Sequence, residues 1–156
     1  MPIAEKAAAA TQPQVISGPA GIGKTQIALE YAYRYCDEYE AILWANADAR
    51  EILASDFARI AEVLNLPEQD NQNQSIAVDA AKRWLQTIPG WLLILDNVSD
   101  IKIVRDFLPA GGRGHTLMTT RTPVSRTFAL NIEIQRMKPP DEALFLLRRA
   151  GIIPPG

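Results

Sequence analysis

One octapeptide, Gly18-Pro19-Ala20-Gly21-Ile22-Gly23-Lys24-Thr25, constrains the fold more than any other stretch of the chain. It fits the pattern GxxxxGK[ST], stands directly behind a short β-prone run, Val15 to Ser17, and leads into a segment of helical periodicity. Glycines at these positions let the backbone curl with its N–H groups turned inward. The helix that follows adds the positive end of its dipole, so the loop is a cradle for phosphate oxygens. The candidate phosphate-binding residues are Gly18, Gly21, Ile22, Gly23, Lys24, Thr25 and Gln26. Lys24 is placed to reach β- and γ-phosphates, and the Thr25 hydroxyl to ligate Mg²⁺. The bland alternative is a Gly-rich turn that happens to carry Lys-Thr. At average residue usage a chance match in such a chain has odds of roughly one in two hundred, and the strand before and helix after lower them.

The rest of the chain alternates. Ala41 to Trp44, Trp91 to Leu95, His115 to Thr119 and Asn131 to Ile134 are further short apolar or β-prone runs ending in polar or Gly-rich turns. Between them apolar residues recur at helical spacing. The first helix is expected from Gly23 to about Tyr35, with Ile27, Ala28, Tyr31 and Ala32 inward, and a second from an N-cap at Ser55 to Leu66, where Pro67 stops it. A third begins near Ser75 and ends before Pro89-Gly90; a short one follows Asp100, and the last covers Asp141 to Ala150 with Gly151 closing it. Strands alternating with helices mean a parallel sheet covered on both faces, an α/β fold of five strands.

Composition bounds what such a sheet can serve. With 156 residues, 47% of them hydrophobic, the prior is one globular domain; residues 1–12 read as a tail and 13–156 as the domain. A formal net charge of −2 supplies no basic stripe, so no nucleic-acid partner is expected. The longest apolar run, Trp91 to Leu95, is far short of the roughly 20 residues of a membrane helix, and Met1 to Ala10 lacks the pattern of a signal peptide. No membrane partner follows. The lone Cys36 reads as a small buried side chain in a reducing compartment, and the expected location is cytoplasmic. Tyr31 and Tyr35 read as a core-facing i,i+4 pair, Trp44, Trp84 and Trp91 as core or rim aromatics, and Gln69 to Gln74 as a surface loop.

A phosphate cradle needs a second group to hold its metal. Trp91-Leu92-Leu93-Ile94-Leu95-Asp96 fits, since a central parallel strand buried on both faces must be apolar throughout and ligands bind at the carboxyl ends of such strands. Asp96 is expected beside Thr25, the two forming the Mg²⁺ site, against the plainer reading of an Asp that opens a turn. Asn97 follows, where a second acid would orient an attacking water. An amide cannot accept its proton, so any hydrolysis is expected to be slow. His115 to Arg121 reads as another central strand that ends in hydroxyls and a guanidinium. Thr120 and Arg121 are the candidate sensor residues, with Arg121 in reach of a γ-phosphate, and Lys24, Asp96 and Arg121 the candidate catalytic set.

Taken in order and spacing, GPAGIGKT, Trp44-Ala45-Asn46-Ala47-Asp48, LLILDNV at Leu92 to Val98 and TTR at Thr119 to Arg121 resemble the NB-ARC domain of STAND-class signalling ATPases. The resemblance covers about Pro13 to Gly151. It implies a three-layer αβα sandwich of P-loop NTPase type with strand order 5-1-4-3-2. It also implies a switch held closed by ADP and opened by ATP, with Asp96 as the Walker B acid and Arg121 as the sensor-1 arginine. Cofactors would be ATP or ADP with Mg²⁺. Two departures stand out: Met1 to Gln14 holds no Gly-Arg-Glu segment to contact adenine, and the sequence stops at Gly156, before the helical lid and winged-helix domain of relatives. The expectation is a nucleotide-binding core alone, meeting protein partners through flanking domains, with weakened grip on the base.

Two rivals remain open. A small P-loop kinase would need a mobile lid rich in arginine, whereas Arg136 and Arg148-Arg149 lie near a strand end and on the terminal helix. A non-catalytic interaction module would keep the loop as scaffold. A GTP switch is disfavoured because no Asn-Lys-x-Asp signature occurs.

Overall fold

Hydrophobic alternation builds the sheet. In the computed structural model, which describes residues 12–70 and 72–154, the strands are β1 (Gln14–Ser17), β2 (Ala41–Asn46), β3 (Trp91–Val98), β4 (His115–Thr120) and β5 (Leu130–Glu133). All four pairings are parallel, in the order β2-β3-β4-β1-β5. This is the expected order read from the other edge. The tail assigned to residues 1–12 lies outside the described residues except for Gln12.

Both faces are covered. On β3, Leu92 and Ile94 join Ile16 and Leu117 beneath α1 (Lys24–Arg34), which contributes Ala28 and Ala32. The alternate residues Leu93 and Leu95 join Val15 and Met118 on the opposite face. That face is closed by α2 (Arg50–Val63) through Leu53, Phe57 and Ile60, α3 (Gln74–Thr87) through Val78 and Leu85, and α4 (Ile101–Arg105) through Val104. A run buried on both sides must be apolar throughout, which is why β3 carries no polar residue before Asp96. Trp91 is buried with its indole N–H donating to the Leu85 carbonyl at 2.9 Å, so its one polar atom is satisfied.

Several expectations shift. The second helix starts at Arg50, not Ser55, and its N-cap, Ala49, makes no side-chain capping bond. Fully buried Leu53 and Phe57 anchor its first two turns, and that burial outweighs the missing cap. Cys36 is exposed, because α1 ends at Arg34 and a 3-10 turn over Cys36–Glu38 carries the chain off the inner stripe of the helix. Ile27 is 40% exposed although it was expected inward; it lies in the first turn of α1, at the mouth of the loop rather than over the sheet. The last helix, α5 (Pro139–Arg149), starts at its prolines and buries no residue. Among the described residues no helix is long and apolar enough to cross a membrane.

Candidate functional site

Every candidate site residue lies at the carboxyl ends of the strands, where parallel sheets leave their crevice. The loop between β1 and α1 is pinned at its start. Gly18 donates its N–H to the Thr120 carbonyl at 3.3 Å, and a Cβ on Gly18 would stand 2.7 Å from the Ile134 carbonyl oxygen, so only glycine admits that approach. Gly18 is thus the anchor of the loop rather than part of its open surface. Gly23, the N-cap of α1, holds φ 100°, a left-handed conformation that glycine adopts without strain. Among the described residues the N–H groups from Gly21 to Gln26 donate to no protein acceptor. Unpaired donors at a helix N-terminus are what a phosphate requires. Lys24 Nζ donates back to the carbonyls of Gly18 and Pro19 at 2.9 and 2.7 Å, which holds the ammonium over the loop.

The metal-side candidates meet directly. Thr25 Oγ1 donates to the Asp96 carboxylate, 2.9 and 3.1 Å from its two oxygens. One carboxylate and one hydroxyl form a hard-oxygen pair suited to Mg²⁺, an ion that completes its shell with phosphate oxygens and water. The donor set therefore fits the ion.

Strand β4 supplies a further hydroxyl to the site, one that composition alone does not single out. Thr119, 1% exposed, donates its hydroxyl to Asp96 Oδ1 at 2.5 Å and accepts the Asn97 N–H at 2.8 Å. It fixes the carboxylate and the residue after it together. Between Leu95 and Val98 the β3–β4 register slips, and Asn97 sits in that bulge at φ 61°. Thr120, the expected sensor hydroxyl, is turned away: it is buried on the other face and donates to the Val98 carbonyl at 3.0 Å. The signal was the period of two in a strand, since Thr119, not Thr120, shares a face with Arg121.

Two cavities share the loop as a common wall. One, of about 450 Å³, is lined by Lys24, Thr25, Gln26, Asn46, Asp96, Asn97, Thr119 and Arg121 with the loop glycines. It brings together the expected catalytic set. Arg121 is exposed there and pairs with no carboxylate among the described residues. The other, of about 810 Å³, lies beside Ile22 and Ile27 and is walled by Ile134, Met137, Phe145 and Leu146, the last two from α5. Its lining is mainly apolar. This second space was not legible as a site, because it joins residues more than a hundred positions apart.

Fold and geometry together define a class: the chain has the three-layer α/β sandwich of P-loop NTPases. Among solved structures it is similar to the Thermotoga maritima RuvB Holliday junction branch migration motor, at TM-score 0.50 and 16% identity over 92% of this chain and 44% of that one. A mutant of that protein gives TM-score 0.51 at the same identity. Among curated proteins it is 28% identical to a nucleotide-binding leucine-rich repeat (NLR)-like protein of Hyaloscypha variabilis, over 72% of this chain and 13% of the relative. It is 33% identical to the transcription activator GutR of Bacillus subtilis, over 73% of this chain and 15% of the relative. The chain thus spans about a seventh of the length of these relatives. No protein-family model matches it.

Proposed function

We propose that the chain is an ATP- and ADP-binding switch module of the NB-ARC kind, the nucleotide-binding core of a STAND-type signalling ATPase. The observation that carries this reading is the convergence of the unpaired loop N–H groups, Lys24, the Thr25–Asp96–Thr119 cluster and Arg121 on one cavity. Similarity to an NLR-like protein supports the signalling role, and the small share of that relative supports partners reached through other domains. The net charge of −2 favours proteins over nucleic acid as macromolecular partners, and a signalling ATPase of this kind would work in the cytoplasm.

The apolar cavity beside the loop gives the base a place to lodge, against Ile22, Ile27 and Phe145. It offers part of the grip that the sequence, lacking a Gly-Arg-Glu segment, does not announce. Thr25 and Asp96 hold the metal, Lys24 and the loop N–H groups take up charge on the phosphates, and Arg121 faces the γ-phosphate. Mg²⁺, held by Thr25 and Asp96, would supply a Lewis acid to the phosphate chain. Asn97 stands where a proton acceptor would be needed and cannot serve as one, so the site holds ATP for long periods. Titration calorimetry of the purified chain tests the reading. ATP and ADP should both bind, and Lys24→Ala should weaken both by about tenfold or more with the circular dichroism unchanged. Unchanged affinities in the Lys24 variant would overturn it.

A further inference from the structure

We propose that Asn46 acts beside Arg121 in telling ATP from ADP, by donating its side-chain amide to the γ-phosphoryl end of the nucleotide. The inference rests on the nucleotide-binding reading above and deepens it. Asn46 is the last residue of β2 and the register partner of Asp96 on β3. Partners in a parallel ladder put their side chains on the same face, so the carboxamide stands beside the Asp96 carboxylate. Both line the cavity that holds Lys24 and Arg121.

Two hydrogen bonds fix Asn46. Its backbone N–H donates to Asp56 Oδ2 at 2.8 Å, and its Oδ1 accepts the Asp48 N–H at 2.9 Å. The second bond also sets which way the amide lies. With Oδ1 tied to the turn, the polar atom left to the cavity is Nδ2, which has no acceptor among the described residues. A residue that only shaped the turn would need the oxygen alone, and a short acceptor-only side chain at that position would do as well. Here a rigidly held donor stands next to a carboxylate, at the rim of a cavity built for anions. A γ-phosphoryl oxygen, repelled by Asp96 unless metal or donors intervene, is the group such a donor suits. ADP has no γ-phosphoryl oxygen to offer it.

The test compares Asn46→Asp and Asn46→Ala in the full chain, titrated with ATP and with ADP at saturating Mg²⁺. Asn46→Asp keeps the acceptor for the Asp48 N–H but loses the donor and adds a negative charge beside Asp96. Asn46→Ala loses donor and acceptor without adding charge, so the Ala variant carries the ATP-against-ADP comparison. It should bind ATP about tenfold more weakly than the unaltered chain, and ADP within about twofold of it. Affinities for the two nucleotides that move together, or that do not move, overturn the proposal. If the unaltered chain binds both nucleotides through Lys24 while the change to Ala at Asn46 affects them alike, this inference alone fails. If it binds neither, the nucleotide reading fails and takes this inference with it.

Discussion

Ser17 ends β1 directly before the phosphate loop, fully buried, and its hydroxyl has no hydrogen-bond partner among the described residues. A buried hydroxyl without a partner costs free energy, so Ser17→Ala should leave stability unchanged or raise it by up to about 1 kcal/mol, read from denaturant midpoints at constant slope. A loss above that range would mean that the hydroxyl has a role in the fold. His115 offers a different test, at the far end of the sheet. It is buried, its Nδ1 lies 2.9 Å from the Tyr39 hydroxyl, and Tyr39 lies 3.0 Å from Tyr31. Burial lowers the imidazole's pKa and, with the Tyr31 hydrogen bond second, raises that of Tyr39. Because the folded state resists protonation of His115, the unfolded chain binds more protons below its ordinary value near 6.5. This contribution to stability is complete above that pH and falls away as the pH drops below it. In His115→Asn, whose oxygen can replace Nδ1 as acceptor, the loss of stability between pH 7.5 and pH 5.5 should be smaller than in the unaltered chain, by thermal melts at the two values.

At the scale of elements, α2 and α3 pose a controlled contrast. Asn73 caps α3, accepting the Ser75 N–H at 3.1 Å, whereas Ala49 begins α2 in an extended conformation with nothing to accept. Ala49→Ser should stabilise the protein by about 0.5–1 kcal/mol and Asn73→Ala destabilise it by about 1 kcal/mol, both measured by chemical denaturation. The same contrast explains where the sequence was legible. Strand β3 declared itself because a strand buried on both faces runs apolar up to Asp96, β4 because β-prone threonines surround its apolar Leu117 and Met118, and the loop glycines because few backbones need them so spaced. The start of α2 did not, since Ser55 is the better cap by chemistry and only the burial of Leu53 and Phe57 draws the helix back to Arg50. Thr119 was hidden by its neighbour. Two adjacent threonines have the same composition, and only the alternation of faces along β4 assigns one to Asp96 and the other to the Val98 carbonyl. Asn46 and the apolar cavity were illegible for a further reason: each depends on which strands and helices are neighbours, and the local pattern carries no such information.

For the whole molecule, a ligand that binds only the folded chain must raise its stability. At a nucleotide concentration a hundredfold above the dissociation constant the gain is about 2.7 kcal/mol, seen as a higher melting temperature, and a tenfold weaker Lys24→Ala should cut it to about 1.4 kcal/mol or less. Asp96→Ala should remove its Mg²⁺ dependence while the nucleotide-free melting temperature stays near that of the unaltered chain. A collapse of the fold instead would make the Thr25–Asp96–Thr119 cluster a structural device. The two halves of the site differ in how they are built: the polar cavity is held by hydrogen bonds between strands, the apolar one by a helix that buries none of its own residues. The first is therefore the stiffer.

Between them lies the contact of Gly18 with Ile134, backbone against backbone, with Ile134 also donating its N–H to the Ser17 carbonyl at 2.7 Å. Side chains can yield by changing rotamer, whereas main chain so closely apposed cannot. A loop that tightens on its ligand must carry Ile134 along, and with it the segment that leads to α5. Nucleotide in the loop should then slow amide hydrogen exchange in the segment after Ile134 that leads to α5, and unchanged exchange there would show that the contact transmits nothing.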